Sequence, residues 1–121
     1  MTTLKLRILF DDAMLGPGKA ELLERIRDTG SISAAGRGMS MSYKRAWMLV
    51  EEMNTAFAEP LVNSMRGGAG GGGARLSPAG EEVLRLYRST LADATRAAAP
   101  HIATLEGMLR PAGQRDIPDK K

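Results

Sequence analysis

Arg37, Lys44 and Arg45 stand in a stretch, residues 30–50, that contains no aspartate or glutamate, and Arg66 and Arg75 stand in a second acid-free stretch, residues 60–80. Elsewhere the charges offset one another: residues 1–29 hold five bases and five acids, and residues 51–59 hold three glutamates and no base. The net charge of +3 is modest and would not by itself point to a charged partner. Its confinement to two short segments is more informative, because bases without neighbouring carboxylates attract phosphates.

The other reactive residue types offer less. The chain has no cysteine, which excludes disulfides, zinc fingers and thiol catalysis. Its single histidine, His101, falls on a helical seam and reads as a structural residue. No pair of carboxylates is set among apolar residues in a way that raises a pKa for acid–base work, so no enzymatic activity is expected. Eight methionines show no ligand spacing and read as core filling. The glycine run from Gly67 to Gly73 is not followed by Gly-Lys-Ser/Thr, so it does not read as a nucleotide loop. A plain flexible linker remains open for it. No cofactor and no metal is expected.

Hydrophobic residues make up 43% and charged residues 26% of 121 residues, the balance of one globular domain with a single core. No apolar run approaches the ~20 residues that cross a bilayer. The N-terminus lacks the basic-then-apolar pattern of a signal peptide, so the expected location is the cytoplasm.

The elements that must hold the bases follow from periodicity. Leu4, Leu6, Ile8 and Phe10 alternate with Lys5 and Arg7, as in a half-buried strand. Lys19 to Thr29 places Leu22, Leu23 and Ile26 at helical spacing, with Gly30 as its stop. A short helix follows, capped by Ser31 or Ser33 and weakened by Gly36 and Gly38, and Met39-Ser40-Met41 forms a turn. Ser42 caps a third helix, whose inward face is expected to carry Tyr43, Ala46, Trp47, Val50, Met53 and Phe57. Lys44, Arg45 and Met48 project from its other side.

Residues 61–66 and 74–76 read as two strands of a hairpin, and the glycines between them cannot hold regular structure without tertiary help. Ser77-Pro78 begins a last helix. Leu84, Tyr87, Leu91, Ala94, Ala98, His101, Leu105 and Met108 form a heptad-like seam along it, which Pro100 should kink or split near Ala99. Residues 1–110 are thus one domain, and 111–121 read as a disordered tail. The fold class expected is mainly α with a small β-hairpin wing, a winged helix-turn-helix.

Two helices joined by a tight turn, the second beginning with bases, suit the major groove of double-stranded DNA. Ser42, Lys44, Arg45 and Met48 would reach base edges. Ser33 and Arg37 on the preceding helix join the same surface, and Tyr43 can offer its hydroxyl to a phosphate. Arg66 and Arg75 would sit at the shoulders of the wing, on backbone phosphates or in a minor groove.

Residues 19–88 resemble the N-terminal DNA-binding domain of the molybdate-dependent transcriptional regulators, the ModE family, related to the LysR-type helix-turn-helix. The residues that carry the resemblance are Thr29-Gly30-Ser31-Ile32-Ser33-Ala34-Ala35, Met41-Ser42-Tyr43-Lys44-Arg45-Ala46-Trp47, Glu59-Pro60-Leu61-Val62 and Gly70-Gly71-Gly72-Gly73-Ala74-Arg75-Leu76-Ser77-Pro78-Ala79-Gly80. The resemblance implies a winged helix, a homodimer, and Ser42 to Arg45 at the DNA. Gly36, Gly38 and Ser40 depart from the family, which more often has larger residues in that helix and glycine in that turn.

The expected activity is sequence-specific regulation of transcription by a homodimer joined through Leu84, Tyr87, Leu91, Ala94 and Leu105. The domain is expected to stand alone: nothing after residue 110 suggests a molybdate pocket, so no molybdate site is expected. Three other readings stay open. Lys44 and Arg45 can be the solvated face of an amphipathic helix, the domain can be a protein–protein adaptor, or it can bind DNA without sequence preference.

Overall fold

The structure, a computed structural model, describes residues 2–68 and 71–114, with the side chains of 66–68 and 71–72 excepted. Two short strands open the chain, β1 (Ile8–Leu9) and β2 (Met14–Leu15), paired antiparallel with Ile8 opposite Leu15. The long strand expected over residues 4–10 is therefore two residues long. Phe10 N–H donates to the Ala13 carbonyl at 2.8 Å, and this turn over Asp11-Asp12 reverses the chain early. Phe10, expected on the buried side, is exposed and meets Phe57 edge to face at 6.4 Å.

Helix α1 (Pro17–Thr29) begins two residues before the expected Lys19. Proline fits the first helical position because its missing N–H would have no helical acceptor there. Gly30 ends the helix at φ +72°, donating its N–H to the Ile26 carbonyl at 2.8 Å. Helix α2 (Ile32–Gly38) is capped by Ser31, whose Oγ accepts from Ala34 N–H at 3.0 Å. Gly36 has a packing reason to be glycine: a Cβ there would lie 2.9 Å from the Ala46 Cβ. Its absence lets α2 and the next helix meet at close range, which offsets the helix propensity that glycine lacks.

The turn is where the sequence placed it. Met39 and Met41 both donate to the Gly36 carbonyl at 3.0 Å, and Ser40 adopts the left-handed φ of 59°. Helix α3 (Tyr43–Ala56) is capped by Ser42, whose Oγ accepts from Arg45 N–H at 3.0 Å.

The hairpin joins β3 (Val62–Gly68) to β4 (Gly71–Leu76), with Val62 opposite Leu76 and Gly68 still opposite Gly71. The glycine run thus belongs largely to the strands, where irregular structure was expected, and residues 69 and 70 lie outside the described residues. The tertiary help is visible: Ala74 N–H donates to the Gly30 carbonyl at 2.9 Å, tying β4 to the end of α1.

Helix α4 (Pro78–Met108) has 31 residues and continues through Pro100 without the split that was one expectation there. Proline removes the hydrogen bond to Arg96, but Arg96 is exposed, so water can satisfy that carbonyl. Of the tail expected from residue 111, Ala112–Gln114 form one 3-10 turn and 115–121 lie outside the described residues.

The core lies where α1, α2, α3, the hairpin and the first turns of α4 converge. Leu22, Leu23, Ile26, Val50, Met53, Leu61 and Tyr87 are its largest fully buried side chains. Leu84 and Tyr87, expected to join subunits, are part of it. Tyr87 is 1% exposed, and its hydroxyl donates to the Leu6 carbonyl at 2.6 Å, which pins the N-terminal segment to α4. Among the described residues no buried side-chain polar atom lacks a partner, and no helix is long and apolar enough to cross a membrane.

Candidate nucleic-acid interface

Ser42 fixes where α3 begins, and this decides which side chains stand at its exposed end. Tyr43, Lys44 and Arg45 occupy the first turn, all exposed, with no acid among them. That placement opposes helix stability, since the positive end of the helix dipole favours carboxylates there at ~0.3–1 kcal/mol each. Two bases added to that end create a strongly positive spot suited to an anion.

The buried face of α3 is Ala46, Leu49, Val50 and Met53. It is rotated by roughly half a residue step from the expected face, toward Leu49. Close approach of Ala46 to Gly36 fits this rotation. Tyr43 and Trp47, expected in the core, are consequently 56% and 37% exposed. Met48, expected on the outer side, is 46% exposed.

The structure brings the start of α2, the start of α3 and the hairpin to one surface. Ser31, Ser33, Tyr43, Ser64, Met65 and Gly73 line a single open concavity of about 320 Å³. On its α2 side Arg37 Nη1 donates to Ser33 Oγ at 2.7 Å. On the hairpin side Arg75 is exposed and paired in register with Asn63. Arg66 lies in β3, but its side chain lies outside the described residues.

Ion pairing separates these bases from the rest. Arg25, Arg27, Arg85, Arg88 and Arg96 each pair with a carboxylate, and Lys19 Nζ lies 3.1 Å from Glu52. Arg37, Lys44, Arg45 and Arg75 face no carboxylate among the described residues. Lys5 and Arg7 share that state on the N-terminal segment. The acids of α3 lie further along: Glu51 and Glu52 border a separate concavity with Asp11 and Asp12. Charge therefore changes sign along α3, positive at the turn and negative toward β1–β2.

Sequence reasoning missed the residues that hold the hairpin in place. Asn54 Oδ1 accepts from Leu61 N–H at 2.8 Å and Val62 N–H at 3.1 Å, and its Nδ2 donates to the Val62 carbonyl at 3.1 Å. At the hairpin's other end, Ser77 N–H donates to the Leu61 carbonyl at 2.9 Å and Ser77 Oγ donates to the Pro60 carbonyl at 2.6 Å. A Cβ at Gly80 would collide with that same Leu61 carbonyl. Only the glycine, set early in a helix, was a signal that could have been read.

This arrangement can take an elongated anion across α3 and the hairpin. The chain is similar to the ModE regulators. It is 44% identical over 88 residues to the transcriptional regulator ModE of Yersinia pestis, covering 72% of this chain and 32% of that protein. Over 102 residues it is 36% identical to the transcriptional regulator ModE of Haemophilus influenzae, covering 84% and 39%. It is also 48% identical over 75 residues to the molybdenum-pterin-binding protein MopB of Rhodobacter capsulatus, covering 62% and 28%. The chain thus spans about a third of the length of the curated relatives it matches. No family model matches it.

Proposed function

We propose that this chain is a DNA-binding transcriptional regulator that reads double-stranded DNA with α3 in the major groove and the β3–β4 hairpin as a wing on the flanking backbone or minor groove. One observation carries the reading: Arg37, Lys44, Arg45 and Arg75 have no carboxylate partner among the described residues, while the arginines of α1 and α4 are paired. Pairing cancels long-range attraction, so the field that remains is centred on the helix-turn-helix and the hairpin. The relatives named transcriptional regulators favour the same reading. The molybdenum in the name of the Rhodobacter relative forms no part of it.

The protein acts as a homodimer in this proposal, with the exposed second half of α4 meeting its copy. Two α3 helices would then address successive major grooves, roughly 34 Å apart. Ser42 keeps its hydroxyl proton for a base or phosphate, since its oxygen already accepts the Arg45 N–H.

Selection of bound duplexes from a random pool, followed by gel shift over a range of salt, tests the proposal. The expected result is an inverted repeat bound far more tightly than random DNA, weakening steeply as salt rises. A protein–protein adaptor would retard no duplex at low ionic strength. An architectural DNA-binding protein would retard every duplex alike.

A further inference from the structure

Five side chains stand exposed on the first two turns of α3: Tyr43, Lys44, Arg45, Trp47 and Met48. Two are the bases already assigned to DNA. The other three present large apolar surface to solvent at the end of the helix that the proposed function places in the groove. Scattered apolar residues on a surface need no explanation, but these are contiguous on one helix. Tyr43 and Trp47 are four residues apart and so share a face, while Met48 shares the adjoining face with Lys44.

The core does not claim them. Ala46, Leu49, Val50 and Met53 fill the buried face, and the close approach of Ala46 to Gly36 goes with the rotation of α3 that leaves Trp47 at the rim. The Trp47 indole N–H has no hydrogen-bond partner among the described residues. Packing within the chain covers much of Trp47 but leaves 37% of it exposed, and hydrogen bonding within the described residues gives its N–H no role.

Base edges in the major groove carry hydrogen-bonding groups and a single apolar one, the 5-methyl of thymine. We propose that Trp47, with Met48 on the adjoining face of α3, seats thymine 5-methyl groups in the major groove and is a specificity-determining residue for DNA. Lys44 and Arg45 then supply attraction and hydrogen bonds, while the indole and thioether distinguish thymine from cytosine by burying its methyl. The inference rests on the DNA-binding reading above, and goes beyond it by naming the group recognised and the residue that recognises it.

The test uses the full chain and a duplex that it selects from a random pool. Each thymine of one half-site is replaced singly by deoxyuridine, which removes only the methyl. Wild-type protein should bind about four-fold more weakly at one or two positions, the effect of one buried carbon. Trp47→Ala should bind the thymine and deoxyuridine duplexes equally well. Met48→Ala, at a more exposed position, should show a reduced ratio, and keeps the test decisive where Trp47→Ala does not fold. Trp47 is the sole tryptophan, so its fluorescence should also change on binding the thymine duplex and change less on the deoxyuridine one.

Tight, selective binding that tolerates deoxyuridine at every position overturns the methyl contact and leaves DNA binding standing. The same follows if both alanine variants keep the full thymine preference. Failure of the wild-type protein to bind any duplex overturns both proposals.

Discussion

Asn54 holds Leu61 by its backbone: the side-chain oxygen accepts the Leu61 N–H at 2.8 Å, and the same amide group makes two further hydrogen bonds to Val62. One side chain of α3 thus fixes the first residues of the hairpin. The orientation of the hairpin relative to α3, whose first turn carries Lys44 and Arg45, depends on it.

Asn54→Ala should leave two backbone N–H groups and a carbonyl without their partner, costing about 2–3 kcal/mol of stability. Asn54→Asp keeps the acceptor for Leu61 and Val62 but sets a carboxylate oxygen against the Val62 carbonyl, so it should also destabilise, and less so when acid protonates the carboxylate. Urea unfolding measures both. Amide exchange should quicken in β3 and β4 more than in α1, and an equal rise in both regions would sink the idea that Asn54 acts on the hairpin.

Two glycines of α4 should respond oppositely to alanine. At Gly80 an added Cβ meets the Leu61 carbonyl, so Gly80→Ala must push α4 from the hairpin, a steric cost of about 2–3 kcal/mol. At Gly107 nothing lies within 4 Å, and Gly107→Ala should stabilise the helix by up to about 1 kcal/mol. Thermal unfolding distinguishes them by the sign of the change in midpoint.

Neither Lys44 nor Arg75 has a carboxylate partner among the described residues, but they stand on different elements and should behave differently. Arg75→Gln should weaken binding to selected and random duplexes alike and lower the slope of log affinity against log salt by about one. Lys44→Gln should also change which sequence is preferred, by about 1–3 kcal/mol at one position. Binding isotherms at several salt concentrations on both duplexes separate the two. Identical losses on both DNAs for both variants would remove Lys44 from base reading.

The order of elements was legible in the sequence because each boundary carries local chemistry. Ser31, Ser42 and Ser77 are caps, Gly30 is a left-handed stop, and Pro78 occupies a first helical position. What was not legible depended on neighbours. A helical projection groups Tyr43 and Trp47 with Ala46, but the rotation of α3 goes with the close approach of Ala46 to Gly36, ten residues earlier in sequence. The glycine run reads as structureless until the Gly30 carbonyl is placed against Ala74. Periodicity along α4 is continuous, so it could not show where packing against the core gives way to a free face.

Leu84 and Tyr87 are buried in their own protomer, whereas Leu105 is 61% exposed and borders an apolar groove with Leu4, Ile102 and Leu109. Leu91 and Ala94 lie between, partly buried. Only the second half of the expected seam therefore has side chains free to meet a second copy. Leu105→Glu should leave the thermal stability of the protomer within about 0.5 kcal/mol, as surface changes do. In the proposed homodimer it should also shift sedimentation from dimer to monomer and weaken binding to a two-half-site duplex far more than to a single half-site. Leu84→Ala should do the reverse, costing about 2–5 kcal/mol of folding through a core cavity with no specific effect on association. A dimer that survives Leu105→Glu at the same concentration would place the subunit contact elsewhere than on α4.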